Sequence, residues 1–141
     1  MRFINPYVDR TDPPEQHVCK RVMPGEVTSL SIDQATGHYV VTLESPDRRF
    51  RDEPGFYVAA SADLIHWSRP TLLVSEAATR AADPPGNWRY IYLSILDPAS
   101  TDRNFSTIGR QPYIYYSRWD KGGPPLARVM LRRRITLNVS G

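Results

Sequence analysis

The chain is short of cysteine, lysine, long apolar runs and helical periodicity, and each shortage removes a class of protein. Cys19 is the single cysteine, so neither an internal disulfide nor a cysteine-based metal cluster can form, and a partly buried thiol is its expected state. His17, His38 and His66 are widely spaced and make no i,i+4 pair, so neither a metal site nor a cofactor is expected. Every apolar run is broken within about ten residues by a charge, Pro or Gly, against the roughly 20 residues that a membrane-spanning helix needs. The opening residues Met1 to Tyr7 carry one Arg and no continuous apolar segment, so no signal peptide, no membrane association and a cytoplasmic location are expected. There is no Gly-x-Ser-x-Gly elbow and no Gly-rich phosphate loop with Lys, which removes support for serine hydrolases and nucleotide enzymes.

What remains is a chain of 141 residues with 40% hydrophobic and 23% charged residues. That is enough for one globular domain with a real core. Its 18 basic residues outweigh 15 acidic ones, and only Lys20 and Lys121 are lysines, so the other 16 are Arg. Guanidinium forks suit carboxylates, phosphates and aromatic faces, which raises nucleic acid as a partner. The two Arg runs, Arg48, Arg49 and Arg51 and then Arg132 to Arg134, sit in no nucleic-acid motif, and acids interleave with the first. They read as a charged loop and a solvated strand edge, so nucleic acid is not an expected partner, and such a role would require them to converge on one face.

Pro or Gly interrupts almost every helical window, and the apolar positions alternate with period two instead. The expected fold is all-β. Val27–Ile32, the polar turn Asp33–Gly37 and His38–Glu44 read as strand, turn, strand. Gly55–Ser61, the turn Ala62–His66 and Trp67–Val74 repeat the pattern. Ser75–Ala82 has short helical leanings and ends at Asp83-Pro84-Pro85-Gly86. Strand patterns resume in Trp88–Leu96, Gln111–Trp119 and Leu126–Val139. The two halves resemble two imperfect four-stranded antiparallel units of about 50 residues, the spacing of β-propeller blades. The expected organisation is an extension over 1–25, a first blade over 26–75, a linker over 76–86 and a second blade over 87–141.

The turn Ser61-Ala62-Asp63-Leu64-Ile65-His66-Trp67-Ser68 resembles the Ser-x-Asp turn of sialidases and the Ser-x-Asp-Leu-x-x-Trp turn of five-bladed glycoside hydrolases of families 32 and 43. Asp63 is suited to accept backbone N–H groups across the hairpin, and Trp67 to close over an apolar layer. Tyr92-Leu93-Ser94-Ile95-Leu96-Asp97, Asn104-Phe105, Tyr113-Ile114-Tyr115-Tyr116 and Arg128-Val129 are similar, in order, to the last blade of such propellers. The resemblance spans residues 26 to 137 as short matches. It implies a carbohydrate-active, glycoside-hydrolase-like portion, a fragment or shortened relative supplying about two of five blades. The family's nucleophilic Asp belongs to an early blade with no counterpart here, so activity in isolation is not expected. Missing blades or a second copy of the chain are implied partners, because two blades leave strand edges open.

In a blade, the loop before the first strand and the loop joining the second and third share the ligand mouth. That places Glu26 first among acid candidates, with Asp52 and Glu53 behind it, and Trp88, Arg89 and Tyr90 as groups to stack on and hydrogen-bond a sugar ring. Ser61, Asp63, Trp67 and Asp97 fall on the far side as structural turn residues. The different-class alternative is a small non-catalytic all-β binding or structural module. A pocket with two facing carboxyls favours the enzyme lineage, and a flat surface with dispersed charge favours the module.

Overall fold

The computed structural model describes residues 26–45, 53–124 and 127–138. The fold is all-β. The order is β1 (Glu26–Asp33), β2 (Tyr39–Ser45), β3 (Gly55–Ser61), β4 (Thr71–Ser75), α1 (Glu76–Ala81), β5 (Trp88–Leu96), β6 (Thr107–Ile108), β7 (Tyr113–Asp120) and β8 (Arg128–Arg134). Two curled sheets form a half-barrel. The first has strand order β4-β3-β2-β1-β6 and the second β5-β7-β8.

The first sheet begins as an antiparallel meander of four strands, as the alternation of its sequence predicts. The second departs from the expected four strands and has three among the described residues. The reason lies in the polar segment after Leu96, which makes no further strand beside β5. Its residues Thr107 and Ile108 instead pair parallel with Ile32 and Asp33 of β1. Asp97 fixes that crossing: its carboxylate accepts the Ala99 N–H at 2.9 Å and the Gly109 N–H at 2.7 Å. A Cβ at Gly109 would stand 3.0 Å from that carboxylate, so the close approach favours glycine there. Ile108 is fully buried as a result.

Alternation along β2 gives both faces of the first sheet something to bury. Val40 joins Ile95, Ile108 and Leu137 in a core between the sheets. Phe56 and Val74 meet Tyr90, Leu93, Ile114 and Tyr116 in the larger shared core, where Tyr116 lies 5.3 Å from Phe56 and 6.1 Å from Tyr90 between ring centroids. The opposite phase, Val41, Leu43, Tyr57 and Ala59, forms a cluster on the other face that Trp67 packs against.

The Ser61-to-Trp67 turn is built as an anion-centred loop. Asp63 Oδ1 accepts the N–H groups of Ile65 and His66 at 2.8 and 2.7 Å, and Oδ2 meets His66 Nδ1 at 2.6 Å. Ser61 Oγ accepts the Leu64 N–H at 2.9 Å, and Leu64 takes the left-handed conformation, φ 65°. Trp67 Nε1 donates to the Leu64 carbonyl while its ring lies on the apolar cluster. The His66 side chain, then the His66 and Ile65 amides, hold the Asp63 carboxyl well below the usual carboxylate range. Helix α1 is short and locally specified, with Ser75 Oγ capping the Ala78 N–H at 3.0 Å.

Two outcomes follow. Leu93→Ala removes a fully buried side chain from the core that joins the sheets and is expected to lower stability by about 2–5 kcal/mol, read from the urea midpoint. A loss under about 1 kcal/mol would mean that the sheets are not held by this core. Because the Asp63 pKa is depressed in the fold, its contribution is present above the unfolded-state value of about 3.9 and is lost as pH falls below it. Asp63→Asn is therefore expected to destabilise the protein at neutral pH and to flatten the acid limb of the Tm-against-pH curve. An unchanged acid limb would contradict this account of the turn.

Candidate functional site

The antiparallel course of the strands brings the start of β1, the end of β2, the start of β3 and the start of α1 to one end of the first sheet. The start of β5 and the residue after β7 arrive there from the second. A cavity of about 180 Å³ opens at this end, lined by Glu26, Glu44, Glu76, Arg89, Tyr90 and Lys121 among others. Three of the sequence-derived candidates, Glu26, Arg89 and Tyr90, thus share one site.

Glu26 and Glu44 stand directly opposite each other across β1 and β2. Facing positions on antiparallel strands hold their Cβ atoms about 4.5–5.5 Å apart, so the two carboxyls share one corner of the cavity. Their environments differ. Glu26 is exposed, whereas Glu44 lies toward the second sheet, where its Oε1 accepts the Leu93 N–H at 2.8 Å. Burial is the largest influence on Glu44 and pushes its pKa up. The Leu93 amide pulls it down, the Glu26 charge pushes it up, and the Tyr92 amide and Arg89 charge oppose the rise less strongly. The net direction is upward, so one of the two facing carboxyls is biased toward its protonated form.

The cationic side of the cavity is Arg89 and Lys121, both exposed. At the α1 end, Glu76 pairs with Arg80, which also donates to the Trp88 carbonyl at 2.9 Å. The helix start is thereby tied to the start of β5.

Trp88 and Tyr90 are committed elsewhere than their expected sugar-stacking role. The Arg118 guanidinium lies 4.5 Å from the centre of the Trp88 ring, and Trp88 Nε1 donates to the Pro84 carbonyl at 2.6 Å. A Cβ on Gly86 would fall 2.5 Å from that ring, so the loop closes over the indole only because residue 86 is glycine. Tyr90 donates its hydroxyl to Asp83 at 2.7 Å, and Arg118 meets the other Asp83 oxygen at 2.6 Å. Burial, followed by the Asp83 hydrogen bond and charge, raises the Tyr90 pKa. Tyr90 is a wall of the cavity with a fixed ring, and Trp88 is a packing residue.

Of the remaining candidates, Glu53 is exposed and is not part of the cavity lining; its carbonyl accepts the Tyr57 hydroxyl. Asp52 lies outside the described residues, as do Arg48, Arg49, Arg51, Cys19 and His17. Ser61, Asp63, Trp67 and Asp97 build turns away from this end. Among the described residues no group of His, Cys, Asp and Glu is arranged to hold a metal ion, and no helix is long and apolar enough to cross a membrane.

Sequence reasoning missed Glu44 and Glu76. Glu44 carried a usable signal: Val40, Thr42 and Glu44 share one phase of β2, so a carboxylate continues an otherwise core-facing row. Such a residue must find donors or change its protonation. Glu76 gave no signal beyond its place at a helix start.

The unequal environments predict unequal titration. In a carboxyl-carbon NMR titration, Glu44 is expected to titrate above the ordinary glutamate range. Glu26→Gln is expected to lower the Glu44 midpoint by removing a like charge. The sign for stability follows: with a raised native pKa, Glu44 favours the fold most below the unfolded-state value, and this is lost as pH rises through the native one. A Glu44 midpoint at or below the ordinary value would contradict the site's electrostatics. No protein-family model matches the chain, and no curated protein and no solved structure matches it.

Proposed function

We propose that the chain is a glycoside-hydrolase-like portion whose sugar ligand seats at the Glu26–Glu44 cavity, and that it binds without hydrolysing. The observation that carries this reading is the direct opposition of two carboxyls at the mouth of a cavity whose other side supplies Arg89 and Lys121. Sugar hydroxyls donate and accept at once, so a rim with acceptors on one side and donors on the other suits a polyol better than a purely anionic or cationic ligand. The volume of about 180 Å³ lies below the roughly 300–1,000 Å³ of sites for drug-sized molecules. That suits one sugar ring rather than a stretch of polymer.

The blade reading supports the same end of the molecule. The four-stranded meander β1–β4 and the Asp63–Trp67 turn are the features that resemble a glycoside-hydrolase propeller, and the cavity lies at the end where a blade's ligand mouth would be. Missing blades or a second copy would then cover the edges at β4 and β8, which no described strand pairs.

Hydrolysis is the second reading, favoured by the raised pKa of one member of a facing carboxyl pair, the arrangement of a general acid beside a charged partner. Binding alone is preferred because the Glu44 carboxylate is held by the Leu93 amide and is not free to follow a leaving group.

The test is a heteronuclear NMR titration of the full chain with a panel of monosaccharides and short glycans, together with a reducing-sugar assay. Saturable shifts are expected at Glu26, Arg89 and Tyr90, with affinity reduced about tenfold in Glu26→Gln through loss of a charge-assisted hydrogen bond, and no sugar release. Release of reducing sugar that disappears in both Glu26→Gln and Glu44→Gln would replace the binding reading with hydrolysis. Absence of shifts at this end with every glycan would overturn both.

A further inference from the structure

We propose that the outer face of the second sheet is a platform for single-stranded nucleic acid, distinct from the sugar cavity but meeting it at Arg89, which pairs with Trp119 and also lines the cavity. The register sets Tyr113, Tyr115 and Trp119 of β7 directly opposite Arg134, Arg132 and Arg128 of β8. The alternate positions of β7, Ile114 and Tyr116, are buried in the core, so this phase of both strands faces outward. The result is a ladder of three aromatic rings beside three guanidinium groups, repeating along the strand at about 6.8 Å where the pairs are two residues apart. No carboxylate occupies these rungs or the β5 positions paired with them, Arg89, Ser94 and Leu96. The neighbouring acids are engaged in turns: Asp102 accepts the Asn104 N–H and the Ser106 hydroxyl, and Asp120 accepts the Gly122 N–H.

Two of the three guanidinium groups, those of Arg128 and Arg132, lie over rings, so that a base would stack on the guanidinium plane, while Arg134 donates to Gln111 Oε1. Arg128 lies 5.3 Å from the Tyr92 ring centre and 5.7 Å from that of Trp119, and Arg132 lies 5.1 Å from Tyr113. Beside them is an apolar groove of about 580 Å³ walled by Tyr92, Phe105, Tyr115 and Met130. Met130 is 74% exposed, Tyr92 58% and Phe105 46%, an apolar exposure that marks an interaction surface rather than ordinary surface scatter.

The charge pattern selects the occupant. A second copy docking by a two-fold contact would set Arg against Arg, and a purely apolar partner would strip water from three guanidinium groups without pairing them. A partner that fits carries flat apolar faces and an anion at each step. Single-stranded RNA or DNA has both: bases stack on aromatic or guanidinium planes, and phosphates pair with Arg. The Arg set differs from the one that the sequence singled out. Arg133 is opposite Ile114, on the core-facing phase, while Arg128, which lay outside both runs, joins Arg132 and Arg134 on the outer face.

The experiment is fluorescence anisotropy of labelled oligouridylate and oligothymidylate 12-mers with the full chain across a salt series, with intrinsic tryptophan emission followed in parallel. Saturable binding is expected, with log K falling against log salt at a slope of about −2, the value for three phosphate contacts on a single strand. Emission is expected to be quenched on binding, and Trp119→Phe to remove the quench while Trp67 and Trp88 still report folding. Arg132→Gln with Arg134→Gln is expected to weaken binding at least tenfold and reduce the slope. Met130→Glu, at an exposed position that burdens folding little, is expected to do the same. Three results would each overturn the proposal: no saturable binding at physiological salt; heparin of matched charge competing as well as the oligonucleotide with no Trp119 quench, which is polyanion attraction alone; or a stable dimer in light scattering that Met130→Glu dissociates.

Discussion

Among the described residues, β5 has strand β7 on one side only, and its other edge finds acceptors in a region packed against the first sheet. Side chains supply them. Glu44 takes the Leu93 N–H and Ser29 Oγ takes the Ile95 N–H at 3.2 Å. Ser29 is held in turn by Thr42 Oγ1 at 2.6 Å. Buried amides without partners cost several kcal/mol each in an apolar setting, so this seam of side-chain acceptors is what allows two separate sheets to close on one core. A bulge in β5 between Ile91 and Ser94 makes it possible. Tyr92 there adopts φ 61°, a left-handed conformation that costs a bulky residue on the order of 1–3 kcal/mol. It sends Leu93 into the core and leaves the Tyr92 ring outside under Arg128.

The seam and the cavity share a residue. Glu44 must accept amides from β5 and must also sit beside Glu26, so the group that joins the sheets is the group with the raised pKa. Ile91, at the start of the bulge, lines the cavity, and Tyr92, one residue on, lines the apolar groove of the outer face. One irregularity in one strand therefore positions a polar recess on one side of the second sheet and an aromatic surface on the other. On the proposed sugar-binding reading, attachment of the recess to two sheets would preorganise it for a small ligand.

The strands were largely legible because alternation is a local property: Gly55–Ser61 and Trp88–Leu96 appear in the structure with the same boundaries that the pattern predicts. The Asp63 turn was legible for a similar reason, since an Asx loop closes on amides two and three residues away. Glu26, Arg89 and Tyr90 were grouped in advance only through the blade resemblance, which sets the starts of β1 and β5 at one mouth, because hairpin pairing alone does not relate strands of different sheets. What was not legible depends on contacts distant in sequence. The pairing of β6 with β1 rests on two residues in a polar segment. The role of Glu44 rests on an amide 49 positions away. The occupation of the Trp88 face by Arg118 depends on the register of β5 with β7, which no local pattern specifies. The outer-face Arg set was hidden because consecutive Arg residues look like one cluster, whereas a strand divides them between two faces.

The most direct measurement of this account is amide hydrogen exchange at Leu93 in the wild-type chain and in Glu44→Ala. If the Glu44 carboxylate is the acceptor that seals β5 to the first sheet, Leu93 exchange accelerates strongly in the variant while Ile114, bonded within the second sheet, keeps its protection. Unchanged Leu93 protection in a folded Glu44→Ala chain would mean that the sheets are joined without this carboxylate, and the shared basis of the fold and the cavity would be lost.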